Sequence, residues 1–154
     1  MRGAEESPAG RRLQKQEIDV LRPLRAAYLH TLKELKALER RRASAARSGE
    51  SVVRALFRVE YTENDAAQEK ILTQRLLFLQ QEFLAAQVLL ERKIAAVPDG
   101  YIRLVLSLYY VDLLRYKDIA DLIGGISGGA VQQLLSRYFA GAHEGIVYDS
   151  SGNE

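Results

Sequence analysis

The chain has 154 residues, 47% apolar and 27% charged, with a formal net charge of +2 and no cysteine. That is the size of one domain, or of a small domain with an elongated arm, and it lies outside the composition range of disordered chains. The lack of cysteine excludes disulfides and thiolate metal sites, no apolar run reaches the roughly 20 residues needed to cross a bilayer, and Met1 to Arg12 lacks the apolar core of a signal peptide.

Residues 1–17 are polar, carry Pro8 and Gly10 and show no period, so a flexible N-terminus is expected. From Ile18 a heptad pattern begins. Leu21, Tyr28 and Leu35 are seven apart, Leu24, Thr31 and Leu38 interleave, and Leu32 widens the stripe. Pro23 falls where a helix start tolerates a missing amide hydrogen. The pattern fades through Arg40-Arg41-Arg42 and stops near Ser48-Gly49, and residues 48–63 read as a connector. Thr62 followed by Asp65 marks a second helix start, with a carboxylate near the positive end of the dipole. That helix is expected to run to about Val97 on a seam of Leu72, Leu76, Leu79, Phe83, Ala86, Leu90 and Val97. Ile71, Leu77, Phe78, Leu84, Val88, Leu89 and Ile94 lie beside or behind the seam, so this helix needs more than one neighbour. Residues 18–97 are accordingly expected to form a long antiparallel helical hairpin, coiled-coil-like, that serves as an oligomerisation arm.

Pro98-Asp99-Gly100 then breaks the chain, with Asp99 as the next cap. Three short helices fit residues 98–140, at about 101–113, 116–123 and 128–139, and residues 141–154 read as a flexible tail. Within the last pair, Ile119, Ala120 and Ile123 make one inner face, and Val131, Leu134, Leu135 and Tyr138 the next. Ala120 is small where two helices cross, Gly124 supplies a positive φ to end the first, and Ser127 is placed to cap the second. This is the pattern of a helix-turn-helix (HTH). A plain helical hairpin with no nucleic-acid role fits the same pattern about as well.

Ile119-Ala120, Leu122-Ile123-Gly124, Ser127 and Val131 resemble the corresponding pattern in sigma-factor region 4. The longer stretch from Leu104 to Tyr138, led by Tyr109-Tyr110-Val111-Asp112, is similar to a family of small proteins from phages of Gram-positive bacteria, some described as transcriptional regulators. The resemblance implies an all-α chain with a coiled-coil region followed by a three-helix sigma-like HTH, acting on double-stranded DNA in the bacterial host cytoplasm. The chain departs from the family at Leu113-Leu114-Arg115, where a Gly and then a Ser or Thr cap are usual, and in the glycine pairs 124–125 and 128–129.

If the last helix docks in a major groove, its outward positions are Gly129, Gln132, Gln133, Ser136 and Arg137. Gln pairs bidentately with adenine and Arg with guanine, each worth about 1–3 kcal/mol of discrimination. Ser127 with the amides of Gly128 and Gly129 sits where a helix start meets phosphate, and Arg115 and Lys117 stand at the start of the preceding helix. Charge runs the other way. Residues 1–60 hold 14 Lys/Arg against 8 Asp/Glu, whereas residues 99–154 hold 4 against 7. The C-terminal unit is therefore poor in the charge that supplies most phosphate affinity. Two remedies follow: phosphate contacts from Arg40, Arg41, Arg42 and Arg47, or a homo-oligomer presenting two readers to two half-sites. A third possibility is that the HTH-like unit binds protein, as an RNA polymerase-binding or terminase-small-subunit-like assembly factor.

Gly124 to Gly129 lacks the Gly-Lys-Ser/Thr ending and the preceding strand of a phosphate loop. His30 and His143 have no partner at ligand spacing, so neither a metal nor any other cofactor is expected. The carboxylates do not pair for acid–base work, the tyrosines at 101, 109, 110, 116 and 138 follow core spacing, and no enzyme is expected.

Overall fold

The computed structural model describes residues 12–48 and 60–141, and among these every regular element is helical. In chain order they are α1 (Lys15–Ile18), α2 (Leu21–Ser48), α3 (Glu63–Ala95), α4 (Gly100–Leu106), which continues as a π-helical turn (Ser107–Val111), α5 (Tyr116–Ile123) and α6 (Gly128–Ala140). The chain divides into two compact units, one of Pro23–Leu84 and the other of Met1–Arg22 with Ala85–Glu154. The residues between 49 and 59, read above as connector, and those from 142 onward, read as a tail, lie outside the described set.

In the unit of residues 23–84, Thr31, Leu35, Ala45 and Leu72 are buried, so the heptad seams point inward as the spacing requires. Thr31 is the one polar member of that set, and its hydroxyl is satisfied by the Ala27 carbonyl at 2.8 Å. Arg41 pairs with Asp65 at 3.0 Å and Arg42 with Glu69 at 3.3 Å, while Arg25 and Tyr28 line a groove with Gln80, Phe83 and Leu84. Early residues of α2 thus meet late residues of α3, and late meet early. At the start of α3 the Thr62 amide donates to the Asp65 carboxylate and the Asp65 amide to the Thr62 hydroxyl, at 3.0 and 3.1 Å, a reciprocal cap.

The other unit is built on α4, α5 and α6, with core residues Ile102, Val105, Leu106, Tyr110, Ile119, Ala120, Val131, Leu135 and Tyr138. Leu90, Ile94 and Val97 from the end of α3 and the segment after it are buried in the same unit. Residues 12–17, expected to be loose, are ordered. Leu13 and Ile18 are buried, the Leu13 amide donates to the Tyr138 hydroxyl at 2.9 Å, and Glu17 pairs with Lys93 at 3.4 Å. The composition of that segment hides one apolar anchor, Leu13, which with the adjoining Ile18 suffices to order a short stretch once partners from the distant end of the chain are folded. Asp99 caps α4 by accepting from the amides of Tyr101 and Ile102 at 2.9 and 3.3 Å.

The stretch expected as one helix over 101–113 instead widens into a π turn and stops at Leu113. The Asp112 amide reaches back to Ser107 and the Leu114 amide to Leu108. Leu113 takes a left-handed φ of 57° to make this possible. The closing ring is one residue wider than the usual left-handed helix stop. Arg22 secures the turn, donating to the carbonyls of Tyr109 at 2.8 Å and Leu114 at 3.1 Å while its guanidinium lies 3.9 Å from the centre of the Tyr109 ring. Tyr109 stacks in turn on Tyr116, with ring centres 4.6 Å apart and planes 5° from parallel.

Candidate nucleic-acid interface

The two helices that carry the candidate site are joined by four residues, 124–127. Ile119 and Ala120 face the core from α5. The helix ends where the Gly124 amide closes on the Ala120 carbonyl at 2.8 Å, and Gly124 and Gly125 both have φ near +79°. A side chain at either would meet nothing within 4 Å, so it is backbone conformation and not space that calls for glycine there. Ser127 then caps α6, its hydroxyl accepting from the Ala130 amide at 3.1 Å. Gly128 serves a different purpose. A Cβ built on it would lie 3.3 Å from the Lys117 amide nitrogen and 3.5 Å from the Lys117 Cα, so the starts of α5 and α6 approach backbone to backbone.

On α6, Val131, Leu135 and Tyr138 are buried, and Leu134 is half-buried. Gly129, Gln132, Gln133, Ser136 and Arg137 are all exposed, together with Ala130. One face of α6 is therefore a continuous polar strip ending in a cation, set on a helix fixed at its start by the Ser127 cap and at its far end by the Tyr138 anchor. Ser127 and Lys117 are exposed at the end of the unit where the two helices begin, and Gly128 is half-buried.

Arg115 behaves differently. Its guanidinium grips Asp118 through two bonds of 3.0 and 3.1 Å, which holds the Asp118 carboxyl below its ordinary range and raises the guanidinium in return. Arg115 occupies the residue before α5, yet its side chain makes no bond to the helix start. The pair is solvent-exposed, and a phosphate would compete with Asp118 for the guanidinium.

The basic residues of the first long helix belong to the other unit. Arg40, Arg41, Arg42 and Arg47 are exposed there, with Arg41 and Arg42 paired to Asp65 and Glu69, and Arg47 contacting the Ser44 hydroxyl at 3.3 Å. His30, also on this helix, lies outward beside Glu34 at 3.5 Å.

Sequence reasoning missed the aromatic stack behind the site. Tyr116, the first residue of α5, is oriented by Tyr109 and through it by Arg22. Burial and the Tyr109 hydrogen bond push its hydroxyl up to about 12. Tyr spacing along the chain gave no hint of this, because Arg22 acts from 87 residues away. Leu122, on the outer side of α5, is another residue that periodicity does not single out; it is 66% exposed. No protein-family model, curated protein or solved structure matches this chain.

Proposed function

We propose that this protein is a DNA-binding transcriptional regulator of phage or prophage type, reading double-stranded DNA through α5 and α6 as a sigma-like HTH. In this reading α2 and α3 form an antiparallel coiled-coil hairpin that brings two copies together. The observation that carries it is the outward strip Gln132, Gln133, Ser136 and Arg137 on a helix whose opposite face is buried. These are hydrogen-bonding groups of the kinds that read adenine and guanine edges, carried on a helix of the right size for a major groove. The close start of the two helices at Gly128 and Lys117, with the Ser127 cap, presents backbone amides and a cation at one end, the arrangement that fixes register on phosphates.

Selection from a random duplex pool, followed by anisotropy titration across salt, tests it. Specific binding is expected to weaken steeply as salt rises. Arg137→Ala is expected to cost about 1–3 kcal/mol at one base pair and relax preference there. Lys117→Ala should weaken all sequences alike. An unselective pool and no affinity at low salt would remove the reading.

A second reading rests on Arg115 and Leu122. Residues 99–154 hold 4 Lys/Arg against 7 Asp/Glu, Arg115 is paired with Asp118, and an exposed leucine stands on the outer side of α5. These features fit a protein partner, in the manner of an RNA polymerase-binding or terminase-small-subunit-like assembly factor. Leu122→Ser separates the two: it should weaken a protein contact and, adding no charge, leave the anisotropy titration unchanged.

A further inference from the structure

The long helix α3 carries a second heptad seam that none of the described residues covers. Beginning at Ala67, the positions Ile71, Gln74, Phe78, Gln81, Ala85, Val88 and Arg92 follow one another at alternating steps of four and three. On one unbroken helix such spacing places them in a single stripe. This stripe lies away from the seam at Leu72, Leu79 and Leu90, and every member of it is exposed. Ile71, Phe78 and Val88 stand 49%, 59% and 50% open, and the flanking Leu77, Leu84 and Leu89 are 55–57% open. Six large apolar side chains left half in water along one helix exceed the scatter expected of a surface helix, and they mark a binding face.

The charges beside the stripe say what covers it. On one flank lie Lys70, Leu77, Leu84 and Glu91, and on the other Gln68, Arg75, Glu82 and Leu89. A parallel pairing of two copies would set Lys70 against Arg75 of the second copy, like against like. An antiparallel pairing sets opposite charges together at the flanks and apolar residues together in the middle, with Gln68 against Leu89 as its one mixed flank contact. Phe78 then faces Gln81, Ile71 faces Val88 and Gln74 faces Ala85 of the second copy, each layer setting a large side chain against a smaller or flexible one. In the same register Lys70 meets Glu91, Arg75 meets Glu82 and Leu77 meets Leu84, each contact occurring twice by symmetry. Lys70, Arg75, Glu82 and Glu91 are all exposed. We infer that this face of α3 is a self-recognition surface on which a second copy of the chain docks as an antiparallel two-fold helix pair. The two glutamines in the stripe cost stability but fix the register, as buried polar residues do in coiled coils. The inference deepens the oligomer half of the function proposed above and does not depend on DNA binding.

Sedimentation and crosslinking without DNA test it. The wild type should show a concentration-dependent monomer–dimer equilibrium. Phe78→Glu should leave only monomer with its helix content unchanged, because Phe78 is exposed within one copy. Lys70→Glu and Glu91→Lys should each weaken the dimer about tenfold, and the double variant should restore it. The cysteine-free chain gives a clean background for orientation. A mixture of Ala67→Cys and Arg92→Cys chains should join through a short thiol crosslinker. Ala67→Cys alone should not, because its copies would sit roughly 37 Å apart along the pair. A wild type that stays monomeric at every concentration, a dimer indifferent to these changes, or self-joining of Ala67→Cys would overturn the inference. A dimer that binds no DNA would leave it standing and remove only the reader.

Discussion

At Leu113 two demands oppose each other. A left-handed φ of 57° costs an L-residue with a branched side chain about 1–2 kcal/mol, yet the side chain is only 8% exposed. Burying a leucine returns about 2 kcal/mol or more, so packing outweighs strain and the residue is tolerated at a position whose backbone favours glycine. The variants should therefore rank unusually. Leu113→Ala loses the packing and keeps the strain, whereas Leu113→Gly loses the packing and sheds the strain. Denaturant melts are expected to find both below wild type, with the glycine variant about 1 kcal/mol more stable than the alanine one. Neighbouring glycines at the start of α6 give the opposite lesson. Gly128→Ala places a methyl against rigid backbone at 3.3 Å, and the gain in helix propensity cannot offset a clash that no side chain can yield to. At Gly129 the nearest atom is the Ser127 hydroxyl at 3.8 Å, an ordinary contact. Gly128→Ala should thus destabilise by about 1 kcal/mol and Gly129→Ala stabilise by about 0.5 kcal/mol, a change of sign between adjacent positions.

Among the elements, the start of α3 has the most definite pH behaviour. The Thr62 amide first, and Arg41 with it, hold the Asp65 carboxyl below the ordinary carboxylate range. A carboxyl depressed in the folded state contributes stability above its unfolded value near pH 4, and that contribution is lost as pH falls through the lower folded value. Amide protection at residues 63–66, taken relative to the intrinsic exchange rate at each pH, should therefore fall below about pH 4 in the wild type. Asp65→Asn, which cannot titrate, should keep its protection constant over the same window. This cap was legible in the sequence, as were those at Asp99 and Ser127 and the stop at Gly124, because each signal lies within three or four residues of the group it satisfies. The inward faces of the long helices were legible for the same reason, as period. The π turn was not, since it depends on Arg22 reaching two carbonyls far along the chain and on a leucine taking a conformation that its type disfavours. Nor was the order of residues 12–17, where Leu13 is held by the Tyr138 hydroxyl from the far end of the chain. At the candidate site, the outward set on α6 followed from the helical period, whereas the pairing of Arg115 with Asp118 needed coordinates to be seen. Arg22 itself is testable as the clasp of the π turn. Arg22→Lys keeps the charge but cannot span both carbonyls, and it should destabilise by roughly 2 kcal/mol in denaturant melts.

For the molecule as a whole, the two proposals meet in one measurable quantity. A reader whose residues 99–154 hold 4 Lys/Arg against 7 Asp/Glu is expected to bind a single half-site weakly, because phosphate contacts supply most of the affinity. Two such units held by one dimer convert the second contact into an intramolecular one, which raises affinity by roughly 10²–10⁴-fold where the spacing of the half-sites suits the dimer. Phe78→Glu separates these contributions, since the residue lies on α3 and takes no part in the outward strip of α6. On a duplex carrying the selected site twice in inverted orientation, the monomeric variant should bind at least about a hundredfold more weakly than wild type. On a duplex carrying one half-site, the two proteins should bind alike. Equal loss on both duplexes would mean that the exposed face of α3 touches DNA or supports the fold of the reader. Equal affinity on both would mean that each copy reads alone and that the dimer serves some purpose other than avidity.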